Sequence, residues 1–137
     1  MNIDISRKVV VITGASKGIG AALALAFAKE QAYVVINYCH SEKEAIELFD
    51  KIQKDNKDCL LVKGDVTNPK DVSNLYKKTI DRYGKVDVLI NNAGVCDDNL
   101  IQMMTLKQWN KVIETNLTGT FLCSREFSKA MIRQKYG

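Results

Sequence analysis

The protein has 137 residues, of which 46% are hydrophobic and 26% charged, which suits one globular domain with a core better than two. Its 20 lysines and arginines exceed 16 aspartates and glutamates by four, and they are mixed with acidic residues instead of forming the basic stripe of nucleic-acid-binding proteins. Four cysteines without a C-x-x-C pair, and a single histidine, leave little for a metal site. We therefore expect no nucleic-acid partner and no metal, and buried reduced thiols.

The hydrophobic residues are spread along the chain in short groups. No run reaches the roughly 18 apolar residues of a membrane-spanning helix. The first eight residues contain no apolar segment of the signal-peptide kind. The expectation is a cytoplasmic protein that does not enter the membrane.

The first predicted element is a strand that leads into a glycine-rich turn and a helix. Val9–Ile12 is a run of four β-branched residues, typical of a strand buried on both faces. From there the apolar residues change to a helical period, at Ile19, Ala22, Leu23, Ala26 and Phe27. Amide N–H groups at such a turn, near the positive end of a helix dipole, are suited to bind phosphate. A turn shaped only for packing is the alternative.

The next segments continue the alternation. We predict a second strand at Tyr33–Tyr38, a helix that ends near residues 54–57, and a third strand at Cys59–Lys63. The second helix should bury Ala45, Leu48, Phe49 and Ile52. No glycine stands at residues 30–32, where the first helix should end.

The second half of the chain predicts two more helices and one more strand. Thr67 or Asn68 can cap the third helix, Pro69 suits its first turn, and Gly84 can end it. A fourth strand follows at residues 86–91, and a loop then runs to about residue 105. One long helix should then carry an apolar face of Leu106, Trp109, Ile113, Asn116, Leu117, Thr120, Phe121 and Ser124.

The order βαβαβαβα predicts a parallel sheet with helices on both faces and right-handed crossovers. We expect an α/β fold of the Rossmann type, a doubly wound sheet with strand order 3-2-1-4, in a single dinucleotide-binding domain over residues 1–137. Ligands of such sheets bind beyond the carboxyl ends of the strands, where strands 1 and 4 diverge.

The end of the second strand indicates which dinucleotide would bind. Proteins that prefer NAD place an acidic residue there to bond the ribose 2′-hydroxyl. Here Asn37 is followed by Tyr38, Cys39, His40 and Ser41, with no carboxylate before Glu42. Because these residues would not repel a 2′-phosphate and Lys17 adds a cation nearby, NADP(H) is favoured over NAD(H). For His40, a loop position without a role is the simpler interpretation.

Two separated motifs resemble the signatures of the short-chain dehydrogenase/reductase family. They are TGASKGIG after the first strand and Asn91-Asn92-Ala93-Gly94 after the fourth. The similarity extends to residues 98–100 and 115–119 and, within the family, is greatest to reductases of 3-oxoacyl groups on acyl carrier protein. The resemblance implies a cofactor site formed by Gly14, Ser16, Lys17, Gly18, Ile19, Gly20, Asn37, Asp65, Val66, Asn91, Ala93 and Gly94.

Three of these positions carry specific roles in the resemblance. Asp65 would hold the adenine amino group and Val66 would pack on the adenine ring, although Asp65 could also be a turn or cap residue. Asn116 matches the asparagine of the family's catalytic tetrad, which helps to hold a water in a proton relay. A hydrogen-bonded asparagine in the core is the alternative for Asn116.

The remaining catalytic residues of the family are a Ser and a Tyr-x-x-x-Lys, in which the tyrosine protonates the carbonyl oxygen and the lysine lowers its pKa. No tyrosine of this chain has a lysine four residues later, at Tyr33, Tyr38, Tyr76, Tyr83 or Tyr136. About half of the usual family length is present. We therefore expect a domain truncated before strand 5 and a chain that is catalytically incomplete by itself.

Two classes of function remain open. One is an NADP-dependent oxidoreductase that reduces a carbonyl, favourably a 3-oxoacyl thioester, to a hydroxyl by hydride transfer. The other is a non-catalytic NADP(H)-binding or interaction module. The expected partners are a small carbonyl substrate, free or on acyl carrier protein, and a second copy of the chain. The second copy would bind in a homo-oligomer or along the exposed edge of strand 4. The basic residues Arg125, Lys129, Arg133 and Lys135 could meet a carrier protein, but a solvated helix face explains them more simply.

Overall fold

The computed structural model of the protein describes residues 4–55 and 58–137. Strands and helices alternate along it as predicted; residues 56–57, part of the predicted end of the second helix, lie outside the described residues. The elements are β1 (Val9–Ile12), α1 (Gly18–Lys29), β2 (Tyr33–Tyr38), α2 (Glu42–Lys54), β3 (Cys59–Lys63), α3 (Pro69–Tyr83), β4 (Val88–Ile90), α4 (Leu106–Ile113), a π-helical segment (Glu114–Thr118) and α5 (Gly119–Gln134).

The four strands form one parallel sheet in the order β3-β2-β1-β4, which confirms the predicted topology. Val11 of β1 aligns with Val35 of β2 on one side and with Leu89 of β4 on the other. Consecutive strands β1, β2 and β3 therefore run to one side of the sheet, and β4 returns to the other side of β1. This reversal places the carboxyl ends of β1 and β4 at the switch point of the sheet.

The core lies on both faces of the sheet. Val10 and Ile12 face a layer built with Ala24 and Ala28 of α1 and Ile52 of α2. On the opposite face, the alternate residues of β1 pack with side chains of α3 and α5, namely Val9, Val11, Leu75 and Phe127. All four side chains of β1 are fully buried, as the β-branched run predicts.

The inner face of α1 differs from the predicted one. The helix buries Gly20, Ala24 and Ala28, whereas Ile19 is 75% exposed and Ala22 and Ala26 are exposed as well. The prediction was correct for Leu23 and Phe27, which pack partly against the core, and wrong for Ile19, Ala22 and Ala26. Glycine and alanine instead turn toward the sheet, where their small size allows the helix to lie close to it.

The end of α1 explains the missing glycine. Gln31 adopts the left-handed conformation, with φ of 65°, that a glycine would supply without strain. Its amide N–H donates to Ala28 O at 2.9 Å, and its carbonyl accepts from Arg7 N at 2.9 Å. These bonds hold a turn that costs about 1–2 kcal/mol for a residue with a Cβ.

The helices α2 and α3 agree with prediction. Ala45, Leu48 and Ile52 of α2 are buried, with Phe49 packed partly against them. The Asn68 side chain caps α3 by accepting from Lys70 N at 2.9 Å, and Gly84 ends this helix with φ of 72°. Here the capping residues stood at fixed offsets from a clear apolar period, so the sequence located both ends.

The predicted long last helix is divided into three parts. Between α4 and α5 the chain passes through the π-helical segment, and only α5 packs on the sheet, through Leu122, Cys123, Phe127 and Ala130. The predicted face was wrong: Leu106, Trp109, Leu117 and Phe121 are exposed, Trp109 by 52%, and Asn116 is also exposed. A search at constant helical period cannot place one face correctly across a wider turn.

The fourth strand is shorter than predicted, three residues instead of residues 86–91. Val86 and Asp87 come before it and are buried, and Asp87 N donates to Val9 O at 3.0 Å. Within residues 4–55 and 58–137, β4 pairs with β1 alone and forms one edge of the sheet. In the same part of the chain, no helix combines the length and the apolar character that crossing a bilayer requires.

Candidate functional site

A cleft of about 1140 Å³ opens at the carboxyl ends of the strands. Its walls come from three places: the turn between β1 and α1, the segments that follow β2 and β3, and the segment after β4 together with one side of α4. Ligand clefts in proteins usually measure about 300–1,000 Å³, so this one has room for a large extended ligand. Its position at the switch point is the one that the sequence predicts.

The turn between β1 and α1 forms the first wall. Gly14, Ser16, Lys17 and Ile19 line the cleft. Within the described part of the chain no side chain caps the start of α1, so the N–H groups of its first turn remain available to a ligand. These residues therefore fit the phosphate groups of a dinucleotide.

Two glycines of this turn serve its shape. Gly18 has a φ of 58°, in the left-handed region, where the chain enters α1. Gly20 packs inward: a Cβ there would lie 2.5 Å from Asn92 Nδ2 and 2.8 Å from Gly14 O. These contacts support the alternative interpretation for Gly20, in which the glycine is needed for packing. A role of Gly20 in cofactor binding remains a prediction.

The end of β4 is joined to the end of β1 by a group of hydrogen bonds that involve Thr13, Asn92 and Ala93. Thr13 Oγ1 accepts from the N–H groups of Asn92 and Ala93 at 3.1 and 3.0 Å. Asn92 Nδ2 donates to the carbonyls of Thr13 and Gly14, both at 3.0 Å. Ala93 and Gly94 then line the cleft beside the turn, together with Asn92 itself.

Asn91, the neighbouring residue, points elsewhere. Its Nδ2 donates to Ser124 Oγ of α5 at 3.1 Å, and Asn91 lies outside the lining residues of the cleft. Successive side chains of an extended segment project to opposite sides, so only one of the two asparagines can face β1. The sequence analysis placed Asn91 and not Asn92 in the cofactor site, whereas in the structure Asn92 lines the cleft and Asn91 does not.

Asn37 lies at the base of the cleft and is only 2% exposed. Its side chain bonds to the protein at both ends, accepting from Gly14 N at 3.3 Å and donating to Gly64 O at 3.0 Å. The prediction placed this side chain toward a 2′-phosphate. In the structure its amide is already engaged, which indicates a supporting position under the cleft.

The segment after β2 forms a wall without a carboxylate before Glu42. Cys39, His40 and Ser41 line the cleft, while Glu42 turns away, accepting from Tyr38 Oη at 2.8 Å and pairing with Lys63 Nζ at 3.5 Å. The Tyr38 hydroxyl, followed by Lys63, lowers the pKa of Glu42. Burial, followed by the charges of Asp65 and Asp71, raises the pKa of the Cys39 thiol, so this thiol adds no negative charge to the wall at neutral pH.

The segment after β3 brings Asp65 and Val66 to the cleft, as predicted. Asp65 Oδ1 accepts from both the N–H and the Oγ1 of Thr67 at 2.8 Å, which is the turn role that the sequence left open. The Asp65 amide donates to Asp71 Oδ2 at 2.9 Å. Contact of Asp65 and Val66 with an adenine ring stays a prediction.

Asn116 lies in the π-helical segment and bonds to the loop after β4. Its Oδ1 accepts from Val95 N at 2.8 Å, and its Nδ2 donates to Val95 O at 3.0 Å. We expected Asn116 to be buried, and this was wrong. Its side chain is exposed, and its donor and its acceptor both bond to the backbone of Val95. Its catalytic role is untested by these contacts.

One side of α4 and the start of the π-helical segment complete the cleft, and the sequence analysis missed both. The lining residues are Lys107, Asn110 and Lys111 of α4, and Glu114 and Thr115 of the π-helical segment. Lys111 Nζ pairs with Asp97 Oδ2 at 3.0 Å, and Gln108 Nε2 donates to Asp97 Oδ1 at 3.1 Å, which holds the preceding loop against the helix. The available signal was the polar period of Lys107, Asn110, Lys111 and Glu114. The apolar period of the same helix drew the prediction to the wrong face.

The parallel sheet, the glycine turn that opens onto an uncapped helix and the cleft at the switch point define a Rossmann-type nucleotide-binding protein. The family model described as short chain dehydrogenase matches residues 8–137. The chain therefore belongs to the short-chain dehydrogenase/reductase family of oxidoreductases, which confirms the resemblance of its two motifs.

Individual relatives support the same assignment. The chain is 41% identical over 133 residues to a 3-oxoacyl-[acyl-carrier-protein] reductase of a Synechocystis species, covering 97% of this chain and 54% of the relative. A short-chain type dehydrogenase/reductase of Mycobacterium marinum superposes with a TM-score of 0.92 at 33% identity, covering 98% of this chain and 54% of that structure.

A mutant short-chain dehydrogenase/reductase of Serratia marcescens superposes with a TM-score of 0.89 at 25% identity, covering 93% of this chain and 52% of its own. The chain thus spans about half the length of each of these relatives.

Proposed function

We propose that the protein binds NADP(H) in this cleft and serves in the reduction of a carbonyl to a hydroxyl by hydride transfer. The observation that carries the proposal is the glycine turn with its uncapped helix, placed at the switch point of the sheet in a member of an oxidoreductase family. A 3-oxoacyl thioester, free or on acyl carrier protein, is the favoured substrate, since the Synechocystis relative is named for that reaction.

The residues present would each hold a different part of the cofactor. N–H groups of the turn, with Ser16 and Lys17, are suited to the pyrophosphate. Asp65 and Val66 would meet the adenine, and Ala93 and Gly94 leave space for the nicotinamide side. When bound, the reduced nicotinamide supplies the hydride, and Asn116 is the one member of the family's catalytic tetrad that this sequence contains.

The preference for NADP(H) over NAD(H) rests on charge. Within the wall formed by Cys39, His40 and Ser41 there is no carboxylate to repel a 2′-phosphate, and Lys17 lies on the adjoining turn. A carboxylate at a few ångströms from a phosphate would cost about 1 kcal/mol or more in a partly solvated cleft. The absence of this repulsion supports NADP(H).

A direct titration tests the cofactor. NADPH and NADH are titrated separately into the protein, and the nicotinamide fluorescence is followed. Saturable binding with a lower Kd for NADPH is expected. Failure of both to bind would refute the proposed cofactor, and tighter binding of NADH would refute the preference.

Catalysis needs groups beyond Asn116. The Ser and the Tyr-x-x-x-Lys of the family are not among these 137 residues, so we propose that this chain alone does not turn over a carbonyl substrate. Oxidation of NADPH with an acetoacetyl thioester should stay at the uncatalysed rate. Turnover well above that rate would refute this statement and would require another acid for the carbonyl oxygen.

The same lack of a Tyr-x-x-x-Lys favours one alternative, an NADP(H)-binding or interaction module without chemistry. The edge of β4 supplies an interaction surface for it, because Val88–Ile90 are apolar and half-buried and pair on one side only within the described residues. Self-association along this edge, or a homo-oligomer formed elsewhere, is therefore proposed. Light scattering at high protein concentration should show a species larger than the monomer.

A further inference from the structure

Asn37 is a buried polar side chain in the middle of the sheet. It stands on β2 opposite Val62 of β3, and only 2% of it is exposed. Burying an amide costs several kcal/mol unless its donors and acceptor find partners. The partners of Asn37 therefore indicate why this position is not occupied by another β-branched residue.

These partners come from both neighbouring segments. Oδ1 accepts from Gly14 N at 3.3 Å, while Nδ2 donates to Gly64 O at 3.0 Å and to Val62 O at 3.4 Å. The backbone carbonyl of Asn37 also accepts from Ala15 N at 2.8 Å. One residue thus bonds the chain that leaves β1 and the chain that leaves β3.

A side-chain amide suits these partners better than its close substitutes. The position needs an acceptor toward one N–H group and a donor toward two carbonyl oxygens, which an asparagine supplies at opposite corners. An aspartate of the same shape would keep the acceptor but would set a carboxylate oxygen against both carbonyls. A leucine would leave all three backbone groups without their partner.

The two bonded segments hold different parts of the cleft. Gly14 begins the turn that carries Ser16 and Lys17, and Gly64 precedes Asp65. We propose that Asn37 is a positioning residue that holds the phosphate-binding turn and the Asp65 turn at a fixed separation, so that both grip the adenosine diphosphate half of the cofactor. This inference rests on the proposed function for its ligand and on the three hydrogen bonds for its geometry.

The test compares two amide-to-carboxylate variants in the full chain. Asn37→Asp alters the side-chain hydrogen bonds under the cleft. Gln134→Glu alters a similar pair of side-chain hydrogen bonds near the amino end of β4. There Gln134 Oε1 accepts from Val86 N at 3.0 Å and Gln134 Nε2 donates to Val86 O at 2.7 Å. Both changes preserve shape and place a carboxylate against a carbonyl. Adenosine diphosphate is the probe, because it contains the part of the cofactor that the two turns would hold and lacks the 2′-phosphate that a new carboxylate at residue 37 would repel.

We expect Asn37→Asp to weaken binding of adenosine diphosphate about tenfold, the loss expected when buried partners are left unbonded. Gln134→Glu should lower the melting temperature but change the Kd less than about twofold, because its link lies far from the cleft. Equal Kd values for Asn37→Asp and the unaltered chain would overturn the inference and leave the proposed cofactor in place.

Hydrogen exchange supplies a measurement that needs neither ligand nor variant. The Gly14 amide should exchange slowly in the unaltered protein, since a buried acceptor holds it. If the Gly14 amide exchanges fast while the amides of β1 exchange slowly, the hydrogen bond from Gly14 to Asn37 does not hold the turn, and the inference is overturned even if Asn37→Asp fails to fold. Failure of the unaltered chain to bind the probe would instead overturn the proposed function, and slow exchange at Gly14 would still support the link.

Discussion

Thr13 and Asn92 bind each other through both side chains, across the ends of β1 and β4. Asn92 N donates to Thr13 Oγ1 at 3.1 Å, and Asn92 Nδ2 donates to Thr13 O at 3.0 Å. The two residues are 79 positions apart in the sequence. These two hydrogen bonds join the carboxyl ends of β1 and β4 at the switch point, where the cleft lies.

Replacing Asn92 should cost more than replacing its neighbour. Asn92→Ala removes donors from the carbonyls of Thr13 and Gly14, so we expect the free energy of unfolding to fall by about 1–3 kcal/mol. Asn91→Ala removes one exposed bond to Ser124 and should cost at most about 0.5 kcal/mol. Urea denaturation of both variants measures the difference, and equal losses would contradict the assignment.

A helical glycine should resist replacement by alanine. In an open helix, Gly→Ala stabilises by about 0.5–1 kcal/mol. At Gly20 the added methyl group would lie 2.5 Å from Asn92 Nδ2 and 2.8 Å from Gly14 O, and such overpacking costs about 1–3 kcal/mol. We therefore expect Gly20→Ala to lower the melting temperature and to weaken NADPH binding. A higher melting temperature would show that the turn can shift to accommodate the added methyl group, and would contradict this prediction.

The charge of Lys17 should matter more for NADPH than for NADH. Lys17 lines the cleft, and the extra 2′-phosphate of NADPH adds about two negative charges, so Lys17→Gln should raise the Kd of NADPH several-fold and that of NADH less. The effect should shrink at high salt because exposed charges are screened. Lys29→Gln, at the other end of α1, is the matched control. An equal change for both cofactors would remove Lys17 from the basis of the preference.

Acid should destabilise the fold through Asp87. Burial acts to raise the pKa of this carboxyl, but the Val9 N–H and the cations Lys85 and Lys8 outweigh it, and the pKa is lowered. Unfolding releases the carboxyl to its ordinary higher pKa, so the unfolded chain binds the proton more readily. The stabilisation is present above about pH 4 and is lost as the pH falls through the folded-state pKa.

The variant Asp87→Asn checks this dependence. Its free energy of unfolding should be lower than that of the unaltered protein at neutral pH, and the two should converge as the pH falls below about 4. A constant difference between the two proteins from pH 7 to pH 3 would show that another group governs the acid response.

Cofactor binding should protect one cysteine from alkylation. Cys39 lines the cleft and Cys96 is exposed outside it, while Cys59 and Cys123 are buried and burial raises the pKa of each to about 11. Iodoacetamide should therefore modify Cys96 with or without NADPH, and Cys39 only without it. Mass spectrometry of the peptides reads out each site. Equal modification of Cys39 in both samples would place the ligand elsewhere.

The sequence predicted the bounds of an element correctly where the apolar pattern and the turn or capping residues agreed with each other. The strands at Val9–Ile12, Tyr33–Tyr38 and Cys59–Lys63 have the predicted bounds, and α3 begins and ends at its predicted caps. In each case a short apolar run or a clear period was bounded by turn residues. The alternation of elements then left few topologies to consider.

The rest depends on contacts that are distant in the sequence. Asn37 is recognised as a support only when its partners, 23 to 27 residues away, are known. The predicted face of α1 was only partly correct. Leu23 and Phe27 pack against the core, but the apolar pattern did not distinguish the buried Ala24 and Ala28 from the exposed Ala22 and Ala26. The exposed face of α4 was missed because apolar periodicity shows that a surface is apolar, and does not show what covers it.

The π-helical segment Glu114–Thr118 has a consequence for how this region tolerates insertions and deletions. A π-helical turn is closed by a hydrogen bond that spans one residue more than in an α-helix, so this segment is equivalent to one residue inserted into a continuous helix. Removing one residue there would restore regular geometry and should even favour the isolated helix. Because the wider turn already accommodates that residue, its removal should leave the relative orientation of α4 and α5 nearly unchanged. Removing one residue from the regular turns of α5 before Phe127 would instead rotate the rest of that helix by about 100° and turn Phe127 away from the sheet. A one-residue deletion should therefore be tolerated in the π-helical segment and not in α5.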